Sequence, residues 1–97
     1  MGSPGYNPDG VVRYVERVFA EYHGMPVRKA ARYFRSTGLD GYVRAWWESF
    51  AYESYWGMMQ WTHNWLQRNG IEPPPLLYDR EIDIRTSRIA NILRLRN

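Results

Sequence analysis

Val11, Val15, Val18 and Tyr22 recur at i, i+4, i+7 and i+11, with Val12 and Phe19 beside them and Arg13, Glu16, Arg17 and Glu21 on the other side. That is the single apolar stripe of an amphipathic helix. Local signals bracket it: Asn7 followed by Pro8 at the start, and Gly24 at the stop. Residues 1–10, with three glycines and two prolines, read as an irregular arm. Pro26 restarts the chain, and Val27, Ala30, Ala31 and Phe34 predict a short second helix ending near Ser36-Thr37-Gly38.

Thr37-Gly38-Leu39-Asp40 then matches a loose capping box, and the pattern predicts a long third helix from Asp40 to Asn69, closed by Asn69-Gly70. Unbroken, it would be about 45 Å long, with Gly57 as a kink or close-packing point. Its polar positions keep only a thin strip, and its apolar residues form two stripes. One carries Leu39, Val43, Trp46, Phe50, Gly57 and Trp61, flanked by Trp47 and Trp65. The other, nearly opposite, carries Tyr52, Tyr55, Trp56, Met59 and Leu66. A surface helix of a monomer shows one stripe, so this helix expects neighbours on both sides. The second stripe is assigned to partner binding.

Pro73-Pro74-Pro75 makes residues 71–78 a stiff spacer. Beyond it Ile82, Thr86, Ile89 and Leu93 follow a helical rhythm, with Asp79 as a cap, acids at the start and arginines toward the end. Residues 79–97 are therefore read as a C-terminal helical segment, against a competing strand reading from the alternation of Glu81-Ile82-Asp83-Ile84-Arg85. The predicted fold is all-α: one domain over 1–97, a small bundle of three to four helices around a long Trp-rich central helix.

Composition narrows the chemistry. The chain has 97 residues, 44% of them hydrophobic and 24% charged, which suits a globular domain and not a disordered one. Cysteine is absent, which excludes disulfides, thiolate metal sites and cysteine nucleophiles and fits an intracellular compartment. The longest uncharged stretch, Ser54–Gln67, contains six polar residues and is too short to span a bilayer. No leader pattern is expected, because Asp9, Glu16 and Glu21 fall early in the chain.

Catalytic signals are weak. His23 and His63 fit no Glu-x-x-His spacing. The carboxylate pairs Glu48/Glu53 and Glu81/Asp83 do not share a helix face. No phosphate loop or nucleophile motif is present, so no cofactor, metal or enzymatic activity is expected. The leading expectation is a non-catalytic structural subunit that docks other protein subunits, in a homo- or hetero-oligomer, through the aromatic-rich helix. The alternative is a small basic nucleic-acid-binding protein. The formal charge is +3, and Arg28, Lys29, Arg32 and Arg35 line one side of the second helix, with Arg85, Arg88, Arg94 and Arg96 following in the last segment.

Overall fold

The cap predicted at Asn7 forms: its side chain accepts the Gly10 N–H at 2.7 Å, Pro8 sits in the first turn, and α1 runs Pro8–His23. Our computed structural model describes residues 6–84. Gly24 ends α1 with φ of 65°, the left-handed conformation that returns its N–H to the carbonyls of Ala20 and Glu21. Four helices follow: α2 (Val27–Thr37), α3 (Leu39–Ala45), α4 (Trp47–Ala51) and α5 (Tyr55–Arg68). The all-α fold class stands, and the described residues contain no strand.

The Trp-rich stretch is helical but is divided among three helices. Gly38, at φ 85°, separates α2 from α3, and the Thr37 hydroxyl accepts the Leu39 N–H at 3.3 Å. Trp46 leaves helical geometry at φ −114°, ψ 29°, turning α3 into α4. The second break, at Tyr52-Glu53-Ser54, has a chemical cause. Ser54 is extended and caps α5, accepting the Gly57 N–H at 3.0 Å, while the Glu53 carboxylate accepts the Ser54 N–H at 2.8 Å. Gly57, expected as a kink or a close-packing point, lies inside α5 and is the latter: a Cβ there would collide with the Glu53 side chain.

These turns change what is central. A straight helix would have carried the two stripes on opposite sides. Bending brings Leu39, Val43 and Phe50 of one stripe and Met59 and Leu66 of the other into a single core. Both α1 and α3 touch every other helix, and α1 makes the broader contact with α2, α4 and α5. It supplies Val15, Val18, Phe19 and Tyr22, each fully buried, to a core closed by Phe34, Met58 and Thr62. An exposed ion pair between Arg44 and Asp9 links the end of α3 to the start of α1 and holds the Asp9 carboxyl below its ordinary range.

Residues 71–84 are a strap rather than a spacer. Leu77 N–H donates to the Tyr22 carbonyl at 2.7 Å and Ile82 N–H to the Tyr22 hydroxyl at 3.1 Å. The Glu81 carboxylate accepts the Trp56 N–H at 2.8 Å, in the first turn of α5, where a helix favours negative charge. Residues 79–84 are not helical, so the helix start expected at Asp79 does not form there. The remainder of the predicted C-terminal helical segment lies outside the described residues. No helix among the described residues is long and apolar enough to cross a membrane.

Candidate functional site

The trough between the α3–α4 corner and α5 is lined by Tyr42, Trp46 and Ser49 on one side and Trp61, Asn64 and Arg68 on the other, and encloses about 470 Å³. Trp61, Asn64 and Arg68 follow helical spacing on one face of α5, while Tyr42, Trp46 and Ser49 converge across the turn from α3 into α4. Beneath them the buried Phe50 ring meets Trp61 edge-on at 5.1 Å and Tyr42 edge-on at 5.7 Å. Trp65 stacks on Tyr42 at 5.5 Å. The aromatic walls are thus fixed by the core, and edge-to-face geometry is the arrangement aromatic quadrupoles favour. Trp46 is held differently: it is 59% exposed at the lip of the trough. Ser49, Asn64 and Arg68 are also exposed, supplying a hydroxyl, an amide and one cation.

A second aromatic group adjoins this corner. Tyr52 is 80% exposed, and its hydroxyl lies 2.7 Å from that of Tyr6. Tyr6 meets Trp47 edge-on at 5.3 Å. The shared hydrogen bond with Tyr52 raises the Tyr6 phenol above its ordinary range.

The stripe assigned to partner binding is therefore not one surface. Tyr52 is exposed, but Met59 and Leu66 lie in the core. Tyr55 is half-buried against Tyr14 at 6.2 Å, and Trp56 is half-buried against Tyr22 at 5.9 Å. The correction has a clear origin. Placing these five residues on one face assumed a continuous helix, and the Ser54 cap rotates everything after it relative to Tyr52. Of the residues the structure does gather, Trp46 and Trp61 belong to the other stripe, and Tyr42 to neither.

The α2 cations all stand exposed: Arg28, Lys29, Arg32 and Arg35. Beside them Met25, Lys29, Arg32, Tyr33, Ser36 and Pro74 line a second groove of about 470 Å³. The arginines at 85, 88, 94 and 96 lie outside the described residues.

The two histidines meet across 40 positions of sequence, Nε2 to Nε2 at 2.8 Å, which no spacing rule could reveal. Among the described residues no group of three or more His, Asp or Glu is placed to hold a metal ion. Searches against family models, curated proteins and solved structures found no match to this chain.

Proposed function

We propose that the protein is a non-catalytic interaction subunit that seats an extended peptide segment of a partner protein in the α3–α5 trough. The observation that carries this reading is Trp46, a large apolar side chain 59% exposed over a groove whose aromatic walls, Tyr42 and Trp61, are braced on Phe50. Tryptophan and tyrosine recur among residues that dominate binding energy, and a fixed aromatic wall loses little entropy on contact. Aromatic-lined grooves also take proline or aromatic side chains of extended peptides. Here Asn64 and Ser49 offer partners for a peptide backbone, and Arg68 offers a bidentate partner for a carboxylate.

The test is a selection of displayed peptides on the immobilised protein, followed by titration of the selected peptides against Trp46→Ala and Arg68→Gln. Enrichment of peptides carrying a proline or aromatic anchor and an acid, with affinity reduced about tenfold or more by Trp46→Ala, supports the reading. Peptides indifferent to both substitutions would reject it. So would no enrichment, together with a light-scattering mass that stays monomeric in the presence of co-purifying proteins.

A further inference from the structure

The face of α2 shares no residue with the aromatic trough and has a different chemistry. Arg28, Lys29, Arg32 and Arg35 are exposed, and no acid occurs between Pro26 and Gly38. Burial raises the Glu16 carboxyl above its ordinary range, and Arg35 lies near enough to oppose that rise in part. Among the described residues, the other three cations have no hydrogen-bond or ion-pair partner. Cations in the first turn of a helix also oppose its dipole, and Arg28 and Lys29 stand in that position without an acid to offset them. A helix that needed only a solvated face would gain from acids there.

The groove alongside adds a second, independent feature. Lys29 and Arg32 line it together with Ser36 and the apolar surfaces of Met25, Tyr33 and Pro74. Tyr33 is fixed from below: its ring stacks on Phe19 at 5.6 Å and 25°. Its hydroxyl is sealed without a partner, and that burial pushes the phenol up. A rigid aromatic ring at the edge of a slot, beside a row of cations about 10 Å long at 1.5 Å per residue, combines the two elements that hold unpaired nucleotides. These are a charged track for phosphates and a flat surface for a base.

We infer that this face binds single-stranded nucleic acid without sequence preference, with phosphates along Arg28, Lys29, Arg32 and Arg35 and one base seated in the groove over Tyr33. Duplex is the poorer fit, because its bases are stacked away from the slot. An acidic peptide would use the cations but leave the slot without an occupant.

The experiment is fluorescence anisotropy of the intact protein with a labelled fifteen-nucleotide oligothymidine, its abasic counterpart, a duplex of equal length, and polyglutamate as competitor. With three to four phosphates neutralised, log K should fall against log salt with a slope of about −2 to −3. Arg28→Gln/Arg32→Gln, both at exposed positions, should lower that slope by about 1.4 with the circular dichroism spectrum unchanged. The abasic strand should bind about fivefold or more weakly, reflecting the lost stacking of one base. Equal affinity for the abasic strand or for duplex would overturn the proposal. So would displacement by polyglutamate at matched charge, which would assign the face to an acidic protein segment, or a double variant that binds like the parent. No binding at low salt would overturn it as well.

Discussion

His63 donates its Nε2–H to Nε2 of His23 across 2.8 Å, and this direction follows from the other end of the His23 ring. There Nδ1 lies 2.7 Å from the Phe19 carbonyl, which can only accept, so Nδ1 carries the proton and Nε2 is the free lone pair. The His23 ring also stacks on Phe19 at 3.9 Å. Burial outweighs the help of the Phe19 carbonyl and holds His23 down at about 4, and burial likewise lowers His63.

The pair makes stability depend on pH with a definite sign. Between the unfolded value of about 6.5 and the folded value of about 4, the unfolded chain binds more protons than the native one. Stability is therefore complete above about pH 6.5 and declines as pH falls toward 4. The contribution of His23 is on the order of 1–3 kcal/mol. The check is urea denaturation at pH 7, 5.5 and 4.5, comparing the parent with His23→Phe/His63→Phe. Carboxylates titrate in both, so the parent should lose more stability than the double variant over this interval. Parallel losses would remove the histidines as the cause.

Phe50 and Trp46, four residues apart, should respond oppositely to truncation. Phe50 is fully buried and supports both Tyr42 and Trp61. Phe50→Ala is expected to cost about 3–5 kcal/mol. Trp46→Ala, at an exposed position, should change stability by no more than about 0.5 kcal/mol. Chemical denaturation of both variants measures the contrast, and a large loss at Trp46 would show that the side chain serves the fold.

Ser54 sets the break before α5. Ser54→Ala removes the hydroxyl that accepts the Gly57 N–H and should cost about 1 kcal/mol, whereas Ser54→Gly should cost only a few tenths. Thermal denaturation distinguishes them. A negligible loss in the alanine variant would locate the cause of the break elsewhere in the Tyr52–Ser54 turn.

These residues also show what the sequence could and could not disclose. Asn7, Pro8, Gly24, Gly38 and Gly70 act within a few positions of themselves, so the ends they mark were readable. Ser54 belongs to the same class of signal, but it sits inside an aromatic run whose spacing suits a helix on either side. The periodicity hid the cap, and the partner stripe drawn across the cap failed with it. The trough was partly legible, since Trp46 and Trp61 were placed together on one stripe. Asn64 and Arg68 share one face of α5 with Trp61, and that face meets Tyr42, Trp46 and Ser49 only because two short helices fold back against a third. The His23–His63 contact and the Glu81 bond to the start of α5 are tertiary, and no local rule reaches them.

The strap over Tyr22 also bears on where this domain can be cut. Counting helices alone would put the boundary at Gly70, after α5. Yet Ile84 is buried, and Ile71, Leu76, Tyr78 and Ile82 pack against the core from the following non-helical segment. A fragment ending at Gly70 would uncover that apolar surface and leave the Trp56 N–H without Glu81. A unit with a closed core therefore extends at least through Ile84, and an excised helical body ending at Gly70 should aggregate where a fragment that keeps the strap does not.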